Sequence, residues 1–325
     1  MNASALQPNV NLKVKQLRVQ GDGVALASYR WGNASGPTLL LVHGYPDNHE
    51  IWLPLVHELA NDFQIIAYDV RGFGASQIPR ECQDYRLEKL ANDLEAVIKA
   101  LSPNQPVHLV AHDWGSIQAW EAVTEPRIQP LLASYTSISG PCLDHVGHWM
   151  RDRLKQKRPS AMWQVLSQLA SSWYIALFHI PVLAELTWRW GLARNWPRLL
   201  ALVEGLANVP ISTSQCSDGV HGIKLYRANF IRSLGKPRLR YTRVPVQLIV
   251  PTADRFVRPQ LFEQLPKWAP TLCRRETNAG HWQLLLEPKQ LAAWLREFSQ
   301  HIQGSVSHHQ QHEPLTPNAT SNQPG

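Results

Sequence analysis

Five largely apolar runs constrain this chain more than any other feature: TLLLV from Thr38, FQIIAY from Phe63, VHLVAH from Val107, ASYTSI from Ala133 and VPVQLIV from Val244. A strand with one wet face alternates apolar and polar residues, whereas a continuous run needs cover on both faces, as in a parallel sheet. Helical patterns such as Leu87–Leu101 lie between the runs. Strand alternating with helix is the doubly wound α/β signature. Two shorter amphipathic strands, Leu12–Val19 and Val24–Trp31, precede them, joined by the hairpin signal Gln20-Gly21-Asp22-Gly23. The expected fold is therefore α/β, with a mostly parallel central sheet flanked by helices.

The pattern breaks after Gly140. Roughly Cys142–Leu239 reads as helix with no convincing strand, and six of the 13 tryptophans fall there. Strand 244–250, a helix over Pro259–Trp268, a short strand at Cys273–Thr277 and a helix over Glu287–His301 complete the pattern. A helical segment between two halves of one sheet is expected to roof the strand ends, where ligands of open α/β sheets bind. The expected division is residues 1–141 for the first part of the core, 142–240 for a helical cap inserted after the sixth strand, 241–302 for the second part, and 303–325 for a disordered tail.

Composition removes several function classes. Lys+Arg number 32 against 25 Asp+Glu, and Pro141–Arg240 alone holds 14 against 5. No nucleic-acid recognition motif accompanies this charge, so the reading is a solvated basic face over an apolar pocket. The four cysteines, Cys82, Cys142, Cys216 and Cys273, have neither CxxC pairing nor metal-ligand spacing. With no signal-like leader and no apolar run near ~18 residues, a reduced, cytoplasmic setting is expected. No GxGxxG follows a strand, so no nucleotide cofactor is indicated, and no metal is expected.

The chemistry sits at the strand ends. In LVAHDWGS, Leu109 to Ser116, a strand breaks at Asp113 and Gly115-Ser116 opens a helix. A strand-to-helix turn with small residues on either side of one reactive side chain is the nucleophile-elbow pattern, here with an aspartate in the serine's place. Asp254 ends VPVQLIVPTAD, and His281 follows the last strand in NAGHW. An aspartate after a strand is often only a helix N-cap, but nucleophile, acid and histidine in that order are the triad order of this fold class. HGYPD, His43 to Asp47, follows the strand TLLLV, so the backbone N–H of Tyr45 is expected to join that of Trp114 in an oxyanion hole. His43 and Asp69 are expected to support loops.

HGYPD, AYDVRGFGAS, HDWGS, PTAD and AGHW together resemble the epoxide hydrolase family of α/β hydrolases, with the haloalkane dehalogenases as relatives. The resemblance covers Leu12 to His301 and is especially similar to bacterial epoxide-hydrolase domains fused to a short-chain dehydrogenase; no such second domain is expected in these 325 residues. It implies Asp113 as nucleophile, His281 as base and Asp254 as the acid orienting it, with no cofactor. Asp144 is an alternative acid, since some relatives place theirs after the preceding strand. KLYRANF and WYIALFHIP resemble the family's two proton-donating tyrosines, which places them at Tyr226 and Tyr174. The implied partners are a small apolar epoxide and water. Departures are Ala111, where glycine is commoner, and Tyr45, where dehalogenases tend to carry asparagine. Besides dehalogenation, the alternative reading is a non-catalytic binding protein on this scaffold.

Overall fold

The computed structural model describes residues 13–206, 209 and 212–311, with side chains to 304. Eight strands, β1 (Lys15–Gln20), β2 (Ala25–Gly32), β3 (Thr38–Val42), β4 (Gln64–Tyr68), β5 (Val107–His112), β6 (Leu132–Ile138), β7 (Val246–Pro251) and β8 (Leu272–Thr277), form one sheet. Their order is β1-β2-β4-β3-β5-β6-β7-β8. The β1–β2 and β2–β4 pairs are antiparallel, and every other pair is parallel.

The apolar runs are continuous because both faces are covered. Leu40, Val42, Ile66, Tyr68, Leu109 and Ala111 enter one core, and Leu39, Leu41, Ile65, Ala67 and Val110 enter the other. Helices α1 (Leu53–Leu59), α2 (Leu87–Leu101) and α3 (Trp114–Val123) alternate with the strands. Between β6 and β7 lie α4 (Leu143–Lys155), α5 (Pro159–Ser171), α6 (Trp173–Phe178), α7 (Leu183–Thr187), α8 (Ala193–Glu204) and α9 (Gln215–Gly235). That insertion contains no strand among the described residues. The short α10 (Gln283–Leu286) and long α11 (Pro288–Gln311) follow β8.

Two expectations change. The helix expected over Pro259–Trp268 is two separate 3₁₀ turns, Pro259–Phe262 and Leu265–Lys267. Pro266 lacks the N–H that a continuous helix needs and its ring crowds the preceding turn. The tail boundary also moves, because α11 continues past residue 303 to Gln311; the rest of the expected tail, 312–325, lies outside the described residues.

Local order around the sheet is tied to one buried ion pair. Arg71, in the turn after β4, donates from Nε to Asp93 Oδ2 at 2.7 Å and from its terminal nitrogen to Oδ1 at 2.7 Å. Its other nitrogen reaches the Asp84 carbonyl, and Asp93 Oδ1 also accepts the Asp22 N–H at 2.8 Å. The hub thus joins the β1–β2 turn, the DVRGFG turn and α2. Burial raises the Asp93 carboxyl's pKa against the pull of Arg71. Removing one member of a buried pair strands the other charge. Asp93→Ala is accordingly expected to lower unfolding stability by about 3–5 kcal/mol in chemical denaturation.

Candidate active site

Asp113 stands between β5 and α3 with φ 51° and ψ −123°, a left-handed backbone that turns its side chain out of the strand line. Close approach makes this turn possible. A Cβ at Gly115 would strike the carbonyls of Val42 and His43, and one at Gly44 would strike Asp113 itself. Gly44 therefore lets the loop after β3 lie against Asp113, and the Tyr45 N–H donates to Asp113 Oδ1 at 2.7 Å. Trp114 is the first residue of α3, so its N–H has no acceptor in the helix's own ladder. His43 braces this loop, donating from Nδ1 to the Gly44 carbonyl and accepting the Val70 N–H at Nε2, both at 2.9 Å. Burial lowers its pKa to about 4, which suits a neutral ring. Asp69 accepts from Tyr29, His49 and the Ala75 N–H.

The other Asp113 oxygen, Oδ2, faces His281 Nε2 at 3.4 Å. His281 Nδ1 lies 2.8 Å from Asp254 Oδ2. Asp254 spends its second oxygen on the N–H groups of Phe256 and Val257, at 2.8 and 3.0 Å. Burial would raise the Asp254 pKa, but His281 and those two donors hold it below the ordinary carboxylate value. Burial would likewise lower the His281 pKa; Asp254 and Asp113 on its two sides reverse this and hold it well above the ordinary value. Asp144 is elsewhere, buried at the start of α4 and bound at 2.8 Å by Arg238, which also pairs with Glu121 of α3. It lines a cleft of about 530 Å³ with Glu88, Arg232 and Lys236, away from His281.

Both tyrosines come from the insertion and meet near Asp113. Their ring centroids are 6.0 Å apart, and Tyr226 also packs edge-on to Trp114 at 4.8 Å, to Phe178 at 4.9 Å and to Tyr45 at 5.4 Å. Tyr174 packs against Phe178 and Phe256. Burial pushes both phenols above their ordinary value, and the charge of Asp113 adds to it. The Tyr45 phenol points away from this chemistry, donating to the Gly219 carbonyl at 3.0 Å.

Two neighbours of His281 escape sequence reasoning. His112, expected only to pack or cap in the core, donates from Nε2 to the His281 carbonyl at 3.0 Å, and burial lowers its pKa to about 3. Glu204, at the end of α8, lies against the His281–Trp282 backbone, and a Cβ at Gly280 would collide with it. Burial raises its pKa against the pull of His281. Adjacency to Asp113 is the one signal the sequence offers for His112. Glu204 carries none, being a lone acid within a helical segment. Among the described residues no group of His, Cys, Asp and Glu is arranged to hold a metal.

A family model for the alpha/beta hydrolase fold matches residues 37–162, which contain β3 to β6 and the Asp113 turn. The chain has the alpha/beta hydrolase fold. The chain is 38% identical over 288 residues to the "Probable oxidoreductase EphD" of Mycobacterium tuberculosis, covering 86% of this chain and 48% of that one. It thus spans about half the length of that relative. It is 27% identical over 303 residues to "Epoxide hydrolase 3" of Xenopus tropicalis, covering 87% of this chain and 76% of that one. Among solved structures it is similar to a Bacillus megaterium epoxide hydrolase crystallised with an inhibitor, with TM-score 0.71, 21% identity, and coverage of 87% of this chain and 99% of that one. The last likeness is one of fold.

Proposed function

We propose that this chain is a cofactor-independent epoxide hydrolase that opens an apolar epoxide to a vicinal diol through an ester on Asp113. One arrangement carries the reading: a carboxylate with Tyr45 N–H on one oxygen and His281 beside the other, with two buried phenols gathered near it. A carboxylate opens a strained ring at an sp³ carbon, splitting one difficult hydration into two easier steps.

In the first step Asp113 Oδ2 attacks a ring carbon. The C–O bond breaks toward oxygen, which takes a proton from Tyr226 or Tyr174. A phenol with a raised pKa holds its proton until that negative charge develops. The step neutralises Asp113, one of the two carboxylates that keep His281 protonated. The imidazolium then gives its proton back to the tyrosinate, and neutral His281 becomes a base.

In the second step His281 Nε2 takes a proton from water as the water oxygen adds to the Asp113 carbonyl carbon. The Tyr45 N–H stabilises the oxyanion, a kind of contact worth ~10²–10³ in rate, with Trp114 N–H as the proposed second donor. Collapse expels the diol oxygen, which takes the proton from His281. Asp113 then returns its own proton to His281, restoring the starting pair. Asp254, ionised and held by two backbone donors, orients His281 throughout, in the general logic of a triad.

A panel of epoxides and haloalkanes, assayed for diol and for halide release, tests the reading. Diol formation from apolar epoxides with no halide release is the expected result. Halide release without diol formation would assign this site to dehalogenation, and binding of epoxides without turnover would assign it to a receptor.

A further inference from the structure

The outer face of the helical insertion is apolar where a solvent-facing helix is ordinarily polar. Helix α5 buries Ala161, Val165 and Gln168 and turns Met162, Trp163, Leu166 and Leu169 outward, at 47, 71, 55 and 51% exposure. Their spacing places these four on one face of the helix. Trp173 extends the stripe at the start of α6, at 67% exposure, and Trp190 and Leu202, at 79 and 83%, add to the apolar exposure further along the insertion. The reading of this tryptophan-rich segment as a wet basic face over an apolar pocket therefore changes: Trp149, Trp188 and Trp196 are buried, while three tryptophans face solvent. Extended exposed apolar surface marks an interaction site.

Charge identifies the partner. Arg153 is paired with Glu263, but from Lys155 to Val203 there are six further Lys and Arg against a single acidic residue, Glu185, and that one is bonded to Arg227. Lys155, Lys157 and Arg158 stand exposed immediately before α5, with no ion pair among the described residues. Bringing two copies together through this face would set like charges against each other, whereas an acidic surface complements it. Tryptophan and basic residues flanking an apolar helical face are the composition of a segment that lies in a lipid headgroup layer.

We propose that this face docks on an anionic lipid bilayer. Trp163, Leu166 and Trp173 seat at the boundary between headgroups and acyl chains, with the basic cluster on the lipid phosphates. Among the described residues no helix is long and apolar enough to cross a membrane, and the contact proposed is a peripheral one. The inference also names a substrate class, and for that part rests on the proposed reaction. Helix α6 carries Trp173 on its outside and Tyr174 on its inside, so docking sets the bilayer one helix away from the proposed proton donor, which suits a long-chain epoxide dissolved there.

Flotation of the full chain with phosphatidylcholine vesicles, with and without phosphatidylglycerol, tests the docking and needs no turnover. Binding is expected to be at least ~tenfold stronger when phosphatidylglycerol is present, since each basic residue near such a surface contributes about 1 kcal/mol. The double variant Trp163→Ser/Leu166→Ser is expected to lose binding. The triple variant Lys155→Glu/Lys157→Glu/Arg158→Glu is expected to weaken it by ~tenfold or more. Circular dichroism shows whether each variant is folded, and all five positions are exposed. Flotation with neither vesicle, equal flotation with both, or flotation that neither variant changes overturns the proposal. Dimerisation that the Trp163→Ser/Leu166→Ser pair abolishes, without vesicle binding, also overturns it and gives the face to a second copy. Flotation of a protein that turns over no epoxide leaves the docking standing and removes only the proposed reaction.

Discussion

Asp113→Asn is expected to abolish turnover of every epoxide the parent chain opens, a loss of ~10⁴-fold or more, as for other covalent nucleophiles removed from their sites. The substitution separates chemistry from structure. Asparagine has the same shape, its amide oxygen still accepts the Tyr45 N–H, and it tolerates positive φ about as well as aspartate. What disappears is the charged oxygen facing His281 Nε2. The same change removes one of the two carboxylates that hold His281 protonated, so the imidazole of the variant should titrate at lower pH than in the parent when followed by NMR. A companion measurement on the parent uses heavy-oxygen water in a single turnover. The label should enter the Asp113 carboxylate, because on the proposed route the oxygen added to the epoxide in that turnover is one of Asp113's own. Label found in the first-formed diol and absent from Asp113 would sink the ester route.

His281→Gln is expected to stop the reaction half-way. In the proposed reaction ring opening uses Asp113 and the tyrosines, so the ester is expected to form. Its hydrolysis needs a base, whose removal typically costs ~10²–10⁴ in rate. Mass spectrometry of the quenched variant should show the peptide carrying Asp113 heavier by one substrate, with free diol falling to a trace. Asp254 keeps the donors from Phe256 and Val257 in this variant, so its buried charge is not stranded. If no adduct accumulates with any epoxide that the parent processes, His281 is not the hydrolytic base.

Both substitutions fall on residues that the sequence alone makes legible. The elbow at Asp113 is a local event: a strand run, one reactive side chain and small neighbours, all within eight residues. Leu87–Leu101 is equally plain, because its apolar period is helical from end to end and the observed helix has the same limits. Pro259–Trp268 misleads because its apolar spacing is helical while Pro266 breaks the hydrogen-bond ladder. The early end expected for the last helix has a related cause, since polar side chains after residue 303 remove periodicity without preventing a helix from continuing to Gln311.

The choice between Asp254 and Asp144 marks where sequence order stops being informative. Both follow strands, and only the assembled sheet shows Asp254 beside His281 and Asp144 taken up by Arg238. His112 and Glu204 reach His281 from the end of β5 and from the insertion, across separations no local pattern encodes. The exposed tryptophans belong to the same class, since composition counts a residue but does not say which side of its helix another element covers.

Residue order alone makes three things readable: the alternation of strand and helix, the succession of Asp113, Asp254 and His281 after strands, and the helical insertion after the sixth strand. Periodicity and tight turns are properties of neighbouring residues. Which carboxylate lies beside His281, what braces its backbone and which apolar side chains stay uncovered become visible only in the assembled fold. Those outcomes depend on packing between distant elements, where a few ångströms separate a buried contact from a surface.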